Sequence, residues 1–179
     1  MVTDNFQKLI EVLKQILKSC EDEYNYCNQS FHAVDSKANA TGGISGILLA
    51  ATFAFGDQFK ATANDLSLIL VILIILLLIL SMFFSILSMW VKNIKGPPIS
   101  ELLFDEILCL YKEGGMKFIA ERIDGIYGEH IKNWFPAIVS FKKALNHKGK
   151  LLKIAQLLLI EASLLIAILT VISIIIKVK

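Results

Sequence analysis

Proline, cysteine and histidine are scarce in this chain of 179 residues: there are three of each. With so little proline, long stretches run with nothing to interrupt a helix. Cys20, Cys27 and Cys109 are an odd set without metal-ligand spacing, and Cys20 and Cys27 fall on an apolar helical stripe. All three read as reduced core residues, not as a disulfide or zinc framework. His32, His130 and His147 lie on separate segments, and Arg122 with His130 makes no recognisable nuclease pair. The sequence has no glycine-rich phosphate loop after a strand and no strand–turn–serine pattern. It therefore offers no support for an enzyme, and no metal or resident cofactor is expected. The first 35 residues are polar, with Glu21, Asp22 and Glu23 in a row, and lack the apolar core of a signal peptide, so targeting is expected to fall to the later apolar runs.

Apolar sequence is what the chain has in excess: 55% of its residues are hydrophobic and its mean hydropathy is +0.63. Leu66 to Val91 is free of charge, and Leu157 to Ile176 carries only Glu161. Each run matches the roughly 20 apolar residues that cross about 30 Å of hydrocarbon. Residues 38–56 are less hydrophobic but also uncharged, and predict a third span. The 92–153 stretch carries eleven Lys and Arg, against Lys60 alone in the 57–65 connection, which places 92–153 on the cytoplasmic side of the membrane. The N-terminus then also lies inside.

The reading is an all-α membrane protein with three transmembrane helices. Residues 1–36 form a cytoplasmic amphipathic helix that continues into span 37–56; a short external loop, 57–65, leads to span 66–92; a cytoplasmic helical insert, 93–150, leads to span 151–177. Phe6, Ile10, Leu13, Leu17, Cys20, Tyr24, Cys27, Phe31, Val34 and Ala38 alternate spacings of four and three, a heptad seam. Tyr127, Ile131, Trp134, Ile138, Phe141 and Leu145 repeat that spacing and are its natural mate. The N-terminal helix and the 99–148 insert are thus expected to make one helical domain. Within the insert, Gly96-Pro97-Pro98 ends the second span, Gly114-Gly115 breaks a helix, and Pro136 kinks the next one.

Inside the spans, Ala38, Gly42, Gly46, Ala50 and Ala54 recur every four positions, a stripe without bulk that admits another helix closely, within the chain or between copies. His32, Asp35 and Asn39 share one face at the membrane boundary. Ser81, Ser85 and Ser88 do so in the second span, and Gln156, Ser163 and Thr170 in the third. These edges either bond helix to helix or line a hydrated path. Glu161, an acid within a span, needs a cation, a proton or water. The basic group Lys142, Lys143, Lys148, Lys150 and Lys153 reads as a topology anchor for anionic lipid, with no nucleic acid as partner.

His32, Asp35, Lys37, Ala38 and Asn39 form an H-x-x-D-x-K-A-N motif leading into a small-residue span, and "NHKGKLLKIAQLLL" enters the last span. With the Gly96-Pro97-Pro98 stop and the helical insert, the pattern resembles the transmembrane effectors of bacterial Pycsar anti-phage systems, with kinship to small membrane effectors of CBASS operons. In that family a cyclase makes a cyclic nucleotide on infection, and the membrane protein compromises the inner membrane so that the cell stops growing or dies. The resemblance implies a non-enzymatic, homo-oligomeric effector whose trigger is a nucleotide second messenger or a cytosolic activator. The insert is too short for a β-roll nucleotide-binding domain, so no binding site for a cyclic nucleotide is identified. A different class of function, a membrane anchor that recruits a cytosolic partner, fits the same segments.

Overall fold

The computed structural model describes residues 2–60, 65–91 and 100–178, and all of its regular structure is helical. Helix α1 runs from Val2 to Lys60, α2 from Asp65 to Trp90, and α3 from Ser100 to Val178. Each contains a stretch long and apolar enough to cross a membrane, within Glu11–Phe55, Ser67–Trp90 and Gly125–Ile175.

Two sequence expectations are corrected here. Helix α3 passes through Gly114-Gly115 without a break and carries Pro136 inside it, so the insert holds one helix where the sequence predicted two. A glycine costs a helix only about 1 kcal/mol relative to alanine, and an interior proline removes one backbone bond. Flanking turns in a helix this long outweigh both. The connection predicted over 57–65 is also shorter, because α1 continues to Lys60 and α2 begins at Asp65. Its centre, and the Gly96-Pro97-Pro98 stop, lie outside the described residues.

The chain divides into two compact units. The first comprises Met1–Phe31 and Asn93–Leu145. Here the two heptad seams meet: Tyr24 stands edge-on to Trp134 and Phe141, with ring centroids 5.4 and 5.0 Å apart. Phe31 meets Phe141 in the same manner at 5.6 Å. Such edge-to-face pairs add roughly 0.5–1.5 kcal/mol each beyond the area they bury. Alternation of four and three puts these rings on one side of each helix. Outside the aromatic contact, Lys142 donates to Glu23 in an exposed ion pair, which holds the lysine's pKa above its ordinary value. Exposed pairs of this kind add little stability.

The cysteines report on this unit. None of the three is in a disulfide; Cys27 is buried, Cys20 half-buried and Cys109 exposed, so Cys109 is not the core residue expected from the sequence. Burial pushes the Cys27 thiol up; nearby Lys142 offsets part of that and Glu23 adds to it. Burial and Glu23 together raise Cys20. A raised pKa means less thiolate at neutral pH, hence slower alkylation. Maleimide is therefore expected to react in the order Cys109, Cys20, Cys27, with Cys27 labelled only on unfolding. Peptide mass spectrometry of a time course checks this, and equal rates at Cys27 and Cys109 would contradict the burial of the Cys27 thiol.

The second unit comprises His32–Lys92 and Asn146–Lys179. Its α1 and α3 segments run parallel, with α2 antiparallel to both, as two levels of pairing require: Ser45–Ser81–Ala155 at one, and Ser88–Lys148–Asp35 at the other. Ile74, Leu78, Ala162 and Leu169 are buried at its apolar centre, where Leu48, Leu159 and Ile166 pack against them. The outward face of its α2 is apolar: Leu68, Ile72, Leu76, Ile79 and Phe83 are all exposed. A continuous coat of large apolar side chains is the surface that hydrocarbon solvates and water does not.

Candidate functional site

The polar groups of the second unit form a seam down its interior. A hydroxyl buried in hydrocarbon must find an acceptor, and the helix geometry of 3.6 residues per turn puts Ser81, Ser85 and Ser88 on one edge of α2. All three are fully buried. Ser81 is the hub: it lies 2.9 Å from the Ser45 hydroxyl of α1 and donates to the Ala155 carbonyl of α3 at 2.8 Å. Ser45 also lies within donating distance, 2.8 Å, of the Thr41 carbonyl on its own helix. Two hydroxyl protons serve these three contacts. The assignment that spends both between helices has Ser45 donating to Ser81 and Ser81 to Ala155, a relay that ties all three spans together. The Thr41 carbonyl keeps its ordinary helical bond in that arrangement.

Farther along α2, Ser88 donates to the Lys148 carbonyl at 3.1 Å. The Lys148 side chain is fully buried, and its Nζ lies 2.5 Å from Asp35 Oδ1 of α1. This ion pair joins the two short sequence motifs, one around Asp35 and the other around Lys148. A lysine held away from water needs a counter-ion close by, since the isolated ammonium would lose several kcal/mol of hydration. The sequence reading singled out Asp35 but took Lys148 as one lysine of a surface basic group. Only its alignment with the buried Leu152 and Ala155, four and seven residues on, marks it as inward-facing.

Between these two clusters sits Ser85, the seam hydroxyl with no hydrogen-bond partner among the described residues. It faces Gly42, where an added Cβ would stand 3.5 Å from Ser85 Cβ. Gly46 faces the Met82 methyl, at 3.8 Å by the same measure. The small-residue stripe thus divides. Ala38 is buried, Gly42 and Gly46 lie against α2 within the same chain, and Ala50 and Ala54 are exposed.

The other sequence-selected residues lie elsewhere. His32 and Asn39 are exposed, so of the three boundary groups Asp35 alone points into the bundle. Gln156, Ser163 and Thr170 are exposed on α3, and the latter two donate to their own backbone at Leu159 and Ile166. Glu161 is exposed as well, and makes no ion pair among the described residues. Beyond the apolar core, at the opposite end from Asp35, a groove of about 430 Å³ opens between α1 and α3, bordered by Ala51, Thr52, Phe55, Thr170 and Ile174. No group of three or more His, Cys, Asp and Glu side chains able to hold a metal exists among the described residues.

A seam of hydroxyls and one ion pair ties the three helices of this unit together. No curated protein and no solved structure matches the chain. A profile of the Pycsar effector protein domain matches residues 20–176. That match covers the aromatic seam, all three spans and both halves of the ion pair, and the chain belongs to the Pycsar effector family, the transmembrane effectors of anti-phage defence.

Proposed function

We propose that this protein is a non-enzymatic effector of the bacterial inner membrane, with its N-terminus and the start of α3 in the cytoplasm, that oligomerises when a nucleotide second-messenger system is triggered and disrupts membrane integrity. Growth arrest or death of the infected cell follows. The observation that supports this reading is the interior seam. Ser81, Ser85, Ser88 and Lys148 are fully buried polar groups in an apolar bundle, and Asp35, partly exposed, pairs with Lys148. Parting the helices exposes hydroxyls and charges that water solvates well and hydrocarbon does not. A bundle with a wholly apolar interior has no such response.

The test is dye entry and depolarisation in cells making the protein with its cognate signalling operon, before and after infection. Permeability that rises on triggering supports the proposal. An intact membrane together with stoichiometric co-purification of a soluble protein supports the anchor function in its place. Glu161 supplies a second measurement. The amide of Glu161→Gln keeps the shape and removes the charge, so the variant is expected to fold normally and to change dye entry at equal expression. Unchanged permeability would mean that Glu161 merely reaches toward the lysines at Lys150 and Lys153.

A further inference from the structure

Among the described residues of the first unit, the large apolar side chains left exposed are Val12, Ile16 and Tyr26 of α1 and Phe135 and Val139 of α3. They are not scattered. On α1 they fall on a second heptad register, Val12, Ile16, Ser19, Glu23 and Tyr26, one residue out of step with the seam that carries Tyr24 and Cys27. Phe135, Val139 and Lys142 repeat the spacing of four and three on α3. Lys142 is bound to Glu23, so the two stripes lie on the same side of the helix pair. Ser19, within the stripe, spends its proton on the Gln15 carbonyl of its own helix. Elsewhere on α1, Lys14, Lys18, Glu21 and Asp22 are exposed, so this unit meets water, where an apolar face is costly until something covers it.

We infer that this two-helix face is the surface on which a second copy of the chain docks, through the same face. Register and charge select that occupant. A helix with two adjacent heptad seams is suited to meet two helices, and the second must bring a matching seam, as the α3 stripe of another copy does. Two copies inserted with one topology are related by a two-fold rotation about the membrane normal, which keeps every residue at its own height. The charged ends of Glu23 and Lys142 touch and are therefore level, so the rotation sets Glu23 of each copy opposite Lys142 of the other. Within one chain the bond uses Oε1 of Glu23 and one N–H of the ammonium; Oε2 and the other N–H groups supply the bonds between chains. Four alternating charges then close a ring flanked by apolar side chains. The inference rests on the proposed oligomeric effector and names the face it uses.

Co-purification of two differently tagged copies, made together in cells carrying the cognate signalling operon, tests it before and after infection. Glu23→Lys makes the four charges all positive, and Lys142→Glu makes them all negative. Each variant paired with itself is expected to co-purify several-fold less than wild type. Glu23→Lys paired with Lys142→Glu should recover, since every contact between the chains then joins opposite charges. Glu21→Lys makes the same change of charge away from this face and should behave as wild type. Protection of Cys27 from maleimide shows that each variant is folded. Should a charge variant lose that protection, Tyr26→Ser and Phe135→Ser, which shorten exposed side chains, decide instead: weaker pairing supports the face, and pairing at the wild-type level rejects it. Self-pairing of folded charge variants at the wild-type level, or no recovery in the mixed pair, would overturn the assignment. So would a soluble protein captured in place of the second copy and lost in Phe135→Ser. Wild-type copies that never co-purify remove the oligomer itself, whereas copies that pair regardless of these variants remove only the face. Dye entry is scored separately: pairing through this face in an intact membrane leaves the inference standing and removes the membrane-disruption reading.

Discussion

Asp35→Asn is expected to destabilise the span bundle by about 3–5 kcal/mol, the usual cost of removing one member of a buried ion pair. The Lys148 ammonium is fully buried, so this variant removes the carboxylate that neutralises a charge held away from water. Lys148→Met has a smaller effect. The carboxylate it strands belongs to a side chain 33% exposed, which can turn toward water, and methionine fills the lysine's volume with an apolar chain. The double variant Asp35→Asn/Lys148→Met should recover much of what Asp35→Asn alone loses, because no charge then remains inside. Thermal unfolding of the purified protein in detergent gives the order: wild type above Lys148→Met, and Lys148→Met above Asp35→Asn. The reverse order of the two single variants would mean that water reaches Lys148. If the seam parts during activation, Asp35→Asn should also leak dye before any trigger.

The second large effect is steric and separates three neighbouring glycines. At Gly42 an added Cβ meets Ser85 Cβ at 3.5 Å, an ordinary contact, so Gly42→Ala is tolerated. It even benefits from alanine's helix propensity, worth about 1 kcal/mol over glycine. The further carbons of Gly42→Leu enter a fully buried stretch of α2 and force it away, at about 1–3 kcal/mol or more for overpacking. That displacement also strains the Ser45–Ser81 bond one turn along. Gly46→Leu is milder, since its nearest neighbour is the mobile end of Met82. A Cβ added at Gly43 meets nothing within 4 Å, so Gly43→Leu should not lower the protomer's stability. Protease resistance in membranes gives the series, and a Gly43→Leu as damaging as Gly42→Leu would refute the intrachain placement of the stripe.

Much of the architecture is written in local pattern. Charge-free runs of span length and two heptad seams suffice for an all-helical membrane protein with three spans, because hydrocarbon demands complete backbone hydrogen bonding and the helix supplies it within one segment. The motifs around Asp35 and Lys148 suffice for the family. Local pattern misleads at Gly114-Gly115, where a pair of glycines reads as a break yet lies within α3, since breaker residues shift an equilibrium that a long helix can absorb. It is silent on direction. Ser81, Ser85 and Ser88 share their periodic signature with Gln156, Ser163 and Thr170, yet one set is sealed inside and the other faces out. Periodicity defines a face, and only the neighbouring helices determine what that face meets. The same holds for Lys148 within its group of lysines. The sequence by itself determined helix, membrane and family, each a property of one segment in its solvent. The tertiary structure decided which glycine touches a serine, which lysine is buried and which polar edge stays open, because each depends on helices far apart in the chain coming within a few ångströms.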